Sequence, residues 1–314
     1  MNELVSVIMP TFNRAATISR AITSVLNQTH SALELIIVDD ASTDDTSIVV
    51  GSFTDKRLRY FKLEQNIGGS GARNFGIEKA NGNFIAFQDS DDEWLVNKLR
   101  SDIKIFDEDA NIDCVFSRYW QIDGLFSKVV PSSYLTVSDS LSGSLLVRNF
   151  IGTPTVILKR DVIRRVNGFN MRLPRYQDWE LFIRISREFK IYMNTDINVI
   201  AYVSCDSLSN NNLAHLTALR IIYDAHADEI SKSDELKSLW LWKIGCAEAL
   251  NSKKFRGALL ESLKLKFSVM KVIKFGLISI LGTKVYIAFS SLSGKVIKLI
   301  SGSRLSAWLK GEDF

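Results

Sequence analysis

The stretch NFIAFQDSDDEW, residues 83–94, joins a strand-length apolar run to three carboxylates within four residues, Asp89, Asp91 and Asp92. An unbroken apolar run of this length is the pattern of a strand buried on both faces of a parallel sheet. The polar residues after it then stand at the strand's carboxyl end, where open α/β sheets bind ligands. The same plan recurs upstream. LVSVIM (4–9) leads into Pro10-Thr11-Phe12-Asn13-Arg14, LELIIVD (33–39) into Asp39-Asp40-Ala41-Ser42, and RLRYFKL (57–63) into a glycine-rich turn, Gly68-Gly69-Ser70-Gly71-Ala72-Arg73-Asn74. Apolar residues at 15, 18, 22, 25 and 26 predict a helix that Asn13 could cap. Ser42 and Asp45 predict a capping-box-like start to a second helix, and a third is expected over 71–80. Strands alternating with helices in this way give an α/β fold, with four polar clusters on one edge of one sheet.

Beyond Trp94 the order changes. A helix is expected near 94–108, then a strand at CVFSRYWQI (114–122), a polar stretch over 123–145, and TVIL (155–158) before another helix. Trp179, Phe182 and Ile185 share one face of a helix over 178–189, which precedes a strand at IYMNTDINVIAYV (191–203). This is a mixed region added to the α/β half. From about residue 213 onward only helical periodicity appears, so the chain divides into an α/β domain over 1–212 and a helical appendage over 213–314.

The composition is that of a globular protein, 46% hydrophobic and 24% charged. Cys114, Cys205 and Cys246 are far apart and include no CxxC, which argues against a zinc ribbon or a disulfide framework. The N-terminus lacks a basic segment followed by a long apolar core, so the sequence predicts a cytoplasmic protein. The net charge of +4 conceals an asymmetry: residues 253–310 hold twelve Lys or Arg against the single acid Glu261, and residues 1–252 carry 27 basic and 32 acidic side chains. Two regions with different partners are implied.

The acidic run supplies hard oxygen ligands suited to Mg or Mn, ions that bridge carboxylates to substrate phosphates. The same run can also be read as a solvated turn capping the next helix, as Asp39-Asp40 can be read as a plain loop start. GGSGAR is neither a P-loop nor a dinucleotide fingerprint, because it lacks GxxxxGK[ST] and does not follow the first strand as GxGxxG. It nevertheless places Arg73, whose planar fork suits a diphosphate. His30, His215 and His226 show no metal-ligand spacing. Trp240 and Trp242 read as packing residues rather than a sugar platform.

Taken together, VSVIMPTFNR, IIVDDAST, NIGGSGARNFGI and FIAFQDSDDEW resemble, in order and spacing, the motifs of family 2 glycosyltransferases with the GT-A fold, from residue 4 to about 205. The resemblance implies a nucleotide-sugar site built from Pro10, Thr11, Asn13, Arg14, Asp40, Arg73, Asp89 and Asp91. Asp40 would bond the base, Arg73 would approach the phosphates, and Asp89 with Asp91, the latter nearest the metal, would form the DxD element. It also points to Arg175-Tyr176-Gln177-Asp178-Trp179-Glu180, where the family carries an acidic pair before a helix. Gln177 replaces the first acid here; Asp178 aligns with the catalytic base, with Glu180 in reserve. Asp178 can also be read as an ordinary helix N-cap, a role compatible with catalysis.

The expected activity is therefore metal-dependent, inverting transfer of a hexose from a nucleotide sugar, by resemblance a UDP-sugar, to a saccharide acceptor, lipid-linked in bacterial surface polysaccharide synthesis. A sugar-phosphate nucleotidyltransferase would need a glycine-rich basic loop where PTFNR stands. A non-catalytic carbohydrate-binding or scaffold protein would be favoured only if Gln177 marks decay. The basic region 253–310, with FGLISIL (275–281) and VYIAF (285–289), is too often interrupted by lysines to span a bilayer. It instead fits amphipathic helices on an anionic membrane surface, peripheral on the inner face, or a bundle packed on the catalytic domain. No nucleic-acid reader is recognisable.

Overall fold

The computed structural model describes residues 3–124, 126–131, 141–203, 211–251, 255–269 and 271–276. The chain divides into two compact units, Met1–Leu208 and Ser209–Phe314. The first is an α/β unit. Its chain order is β1 (Val5–Thr11), α1 (Ile18–Leu26), β2 (Leu33–Asp39), α2 (Thr46–Gly51), β3 (Leu58–Lys62), α3 (Gly68–Lys79), β4 (Phe84–Phe87), β5 (Glu93–Trp94) and α4 (Lys98–Glu108). There follow β6 (Cys114–Asp123), β7 (Phe126–Val130), α5 (Leu141–Val147), a 3-10 turn at Thr153–Thr155, β8 (Val156–Lys159), α6 (Arg160–Arg165), α7 (Gln177–Glu188) and β9 (Ile191–Tyr202).

One sheet joins the strands of the described residues in the order β3-β2-β1-β4-β8-β6-β9-β5, with β7 added to β6. Strands β1 to β4 are mutually parallel, β8 runs against both β4 and β6, and β9 is parallel to β6. It follows that β1, β2, β4, β6 and β9 all end at one edge. Every residue of β2 is buried, as its two-faced apolar sequence predicts. Val7, Met9, Ile37, Ala86, Ile22 and Leu99 belong to one core under α1 and α4. On the opposite face α3 lies close to β1, because Gly76 carries no Cβ; one there would sit 2.5 Å from Ile8 Cγ2.

Several helix starts differ from the sequence expectation. Asn13 does not cap α1: its backbone turns at φ 52°, its Oδ1 accepts from the Thr43 amide, and the helix begins five residues later, at Ile18. Ser42 forms no capping box, since its hydroxyl accepts from the Asn13 amide and α2 begins only at Thr46. The glycine-rich segment is not a turn preceding α3 but its first turn, entered through Gly68 at φ 81°. The expected helix near 94–108 is split, with Glu93–Trp94 pairing to β9 and the helix starting at Lys98. The polar stretch 123–145 yields β7 and the start of α5, residues 132–140 lying outside the described set.

The second unit is helical over its described residues, with α8 (Asn212–Ala225), α9 (Ala227–Ile230), α10 (Asp234–Asn251) and α11 (Arg256–Leu265). Trp240 is fully buried beside Tyr223, and Trp242 packs on the cluster of Ala249, Phe255 and Leu259. Among the described residues no helix is long and apolar enough to cross a membrane. Most of the basic region, including residues 277–314, lies outside the described set.

Candidate active site

The clusters after β1, β2 and β4 meet because those strands are parallel neighbours. Asp39 is fully buried and accepts from the Tyr60 hydroxyl at 2.5 Å and the Ser42 amide at 2.7 Å, so it braces the loop. Asp40 receives the backbone amides of Ile67 at 2.7 Å and Gly68 at 2.8 Å, one on each oxygen. It thus pins the entry to α3, and each oxygen keeps a lone pair for a further donor. Asn13 and Ala41 both hold positive φ, 52° and 64°, in the two loops that face each other here. Strained turns of this kind persist where the surrounding structure over-determines them.

The acidic run is held by arginines. Arg73 Nη2 lies 2.5 Å from Asp89 Oδ1, and Arg14 Nε lies 3.5 Å from Asp91 Oδ2. Arg20 donates to the Asp91 carbonyl and stacks over the Tyr202 ring, 3.9 Å from its centroid. Burial together with the neighbouring Asp89 charge raises Asp91, and raises the more deeply buried Asp92 well above the usual carboxylate range. Asp92 also accepts from the Tyr202 amide at 3.0 Å.

Among the described residues no three His, Cys, Asp or Glu side chains are arranged to hold a metal ion. What is present is a pair of hard carboxylates, Asp89 and Asp91, with the neighbouring Gln88 Oε1 buried and without a partner. That donor set fits Mg or Mn, which take one or two carboxylates and complete their shell with water and substrate phosphates.

Asp178 sits in the first turn of α7 but does not cap it; Tyr176 holds the N-cap position in the left-handed region, φ 62°. Its ring meets Trp179 edge-on at 5.5 Å, and Trp179 Nε1 donates to the Leu145 carbonyl at 2.6 Å, which docks α7 on α5. The Asp178 carboxylate accepts from Asn149 Nδ2 at 3.0 Å and from the Trp179 amide at 2.8 Å. Burial pushes its pKa up despite those bonds and the Arg73 charge, and the Asp89 charge adds to the rise. Gln177 donates to the Leu173 carbonyl at 3.2 Å. Glu180 is buried and forms a two-pronged pair with Arg184, both bonds at 2.8 Å, so it is a structural residue and unsuited to stand in for Asp178.

Asp89, Asp92 and Asp178 line one pocket of about 160 Å³ with Tyr119, Gln121 and the segment Gly152–Thr155. The sequence motifs had not joined these last residues to the site. They sit on a strand and a loop whose composition carries no signature, and only the sheet order brings them to the carboxylates. Asn149 was missed for the same reason.

The family model for glycosyl transferase family 2 matches residues 6–186. A UDP-Glc:α-D-GlcNAc-diphosphoundecaprenol β-1,3-glucosyltransferase of Escherichia coli, WfgD, is 35% identical over 217 residues, covering 68% of this chain and 82% of that protein. Among solved structures, Staphylococcus aureus TarS in complex with UDP-GlcNAc superposes with a TM-score of 0.61 at 22% identity, over 85% of this chain and 77% of that one. The mannosyltransferase PcManGT of Pyrobaculum calidifontis, solved with GDP-Man and Mn²⁺, gives 0.59 at 18% identity, over 91% and 83%. The family model spans more than half of the chain and takes in the acidic run and Asp178, so the chain belongs to glycosyl transferase family 2.

Proposed function

We propose that the protein transfers a hexose from a UDP-sugar to a lipid-linked saccharide acceptor, with inversion and with a divalent cation, during assembly of a bacterial surface polysaccharide. The observation that carries this reading is that Asp89, Asp92 and the base candidate Asp178 line one pocket. An UDP-glucose donor acting on a diphosphate-linked acceptor is the named activity of the Escherichia coli relative.

Breaking the bond from the anomeric carbon to the diphosphate builds negative charge on the leaving group. Asp89 and Asp91 would hold the cation, which supplies Lewis-acid stabilisation of that charge. Arg73 and Arg14, now paired to these carboxylates, are placed to shift toward the diphosphate. Asp178 takes the proton of the acceptor hydroxyl as its oxygen attacks the anomeric carbon, and the sugar–diphosphate bond breaks on the opposite face. One displacement inverts the centre without a covalent enzyme intermediate. Thr11, Asn13, Pro10 and Asp40 frame the nucleotide end on β1 and β2.

Contact with an anionic membrane face would bring this site to a lipid-linked substrate. Exposed Phe267 and Val269 stand among Lys264, Lys266, Lys271 and Lys274, an apolar and basic combination suited to such a surface. The test of the activity is a donor screen with purified protein and manganese, reading release of nucleoside diphosphate. UDP release from a UDP-sugar, raised by a GlcNAc-diphosphoryl lipid, is expected. No release from any nucleotide sugar would return the chain to a binding or scaffold role.

A further inference from the structure

The pocket beyond the acidic run has a wall that no motif names. Tyr119 and Gln121 are two residues apart on β6, so their side chains leave the same face of the sheet. Both line the pocket that holds Asp178, together with Thr153. Among the described residues the Tyr119 phenol, the Gln121 amide and the Thr153 hydroxyl have no hydrogen-bond partner. Solvent-facing polar side chains gathered in one cleft, with no protein partner to displace, are free to bond a ligand that enters it. Their chemistry is that of polyhydroxyl recognition, with a phenol, an amide and a hydroxyl offering several donors and acceptors beside an aromatic face. Gly152 leaves that face open: a Cβ there would lie 3.5 Å from Tyr119 Cε1.

The sheet order decides which sugar fits. The proposed nucleotide residues lie at or just beyond the carboxyl ends of β2, β1 and β4, with Arg73 on α3, whereas β6 is two strands beyond β4 on the side away from Asp40. At roughly 4.8 Å per strand that displacement is about 10 Å, the width of a second sugar rather than of the diphosphate. β6 runs parallel with β4, so both present their carboxyl ends at the same edge. Burial and the charges of Asp178 and Asp92 push the Tyr119 phenol upward, which keeps it protonated and able to donate.

We propose that Tyr119, Gln121 and Thr153 form the subsite for the acceptor's terminal pyranose, turning its reactive hydroxyl toward Asp178. The inference rests on the transferase reading above. The transferred sugar of the donor has the same pyranose chemistry, so the experiment separates the two sources.

Wild type, Tyr119→Phe, Gln121→Ala and Gly152→Val are compared with UDP-glucose, manganese and a synthetic GlcNAc-α-diphosphoryl alkyl acceptor. Tyr119→Phe keeps the ring, and Gly152→Val covers it without touching the polar groups. Losing one ligand hydrogen bond should raise acceptor KM about tenfold. Donor affinity by calorimetry and slow donor hydrolysis without acceptor should stay at wild-type values. Weakened donor binding in these variants would assign the pocket to the transferred sugar and overturn the inference. Unchanged acceptor KM in all three would also overturn it. Asp178→Asn serves as the separate control: full turnover in that variant refutes the assigned base while leaving the subsite result to stand.

Discussion

Arg73 Nη2 is 2.5 Å from Asp89 Oδ1, so the arginine that would face a diphosphate is, without one, the counter-ion of a carboxylate that would face a metal. The pair joins α3 to the end of β4, and its guanidinium also lies 5.5 Å from the Phe169 ring. Asn74, the next residue of α3, clamps the Phe169 backbone at both its N–H and its C=O, at 2.8 and 2.9 Å. Positioning therefore comes from a rigid helix rather than a loop.

Arg73→Ala should leave Asp89 uncompensated and weaken donor use. A charge-assisted bond is worth about 1.5–3 kcal/mol, so kcat/KM for the UDP-sugar should fall roughly tenfold to a hundredfold. Steady-state kinetics with varied donor check this; a change below twofold counts against a phosphate role.

Removing the divalent ion should stop transfer, because burial and the neighbouring Asp89 charge already raise Asp91 and Asp92, and the run cannot also face a diphosphate unaided. Excess chelator is expected to abolish turnover, and added manganese to restore it. Asp91→Ala should lose both activity and manganese binding measured directly by calorimetry; wild-type turnover in chelator would refute the proposal.

Asp178→Asn should lower kcat by about a hundredfold to ten-thousandfold while donor affinity is retained. Because burial raises the Asp178 pKa, the base form is lost as pH falls through a value above the ordinary aspartate range. The acid limb of the kcat profile should lie there. Asn149→Ala removes a bond that favours the charged form, so it should move that limb to higher pH and leave the alkaline side in place. A limb that does not move would deny Asn149 its positioning role.

Stability has its own test at Lys98 and Asp102, an ion pair of 2.7 Å with both side chains 0% exposed. Asp102 also accepts from Asn194 at 2.7 Å, tying α4 to β9. Lys98→Met strands the carboxylate and should destabilise the fold by about 3–5 kcal/mol in denaturant titration. Lys98→Met with Asp102→Leu should recover much of that loss, since no buried charge remains. Equal stability of the single and double variants would contradict this account.

Association with anionic vesicles should follow from the exposed Phe267 and Val269 beside basic residues, each nearby lysine contributing about 1 kcal/mol at low salt. Co-sedimentation of the full chain should rise with anionic lipid content, fall with salt, and drop in Phe267→Ser/Val269→Ser. Absence of binding at low salt would refute the membrane proposal.

The strands, the α/β class and the edge carrying Asp40, Arg73, Asp89 and Asp91 were legible in the sequence. Two-faced burial of parallel strands forces an apolar run, and the polar residues that end each run are fixed by the chain itself. Asp178 was legible only through the resemblance. Helix starts were not: Asn13 and Ser42 carry good capping side chains, but each found a partner in the other's loop, a contact between positions 29 residues apart. Glu180 could not be excluded as a base until Arg184 was seen to hold it. Tyr119, Gln121 and Thr153 belong to segments that are ordinary by composition, and they reach the carboxylates only because β8 runs backward between β4 and β6. Local sequence determines which groups can bind; the strand order, set by long-range pairing, decides which of them share a pocket.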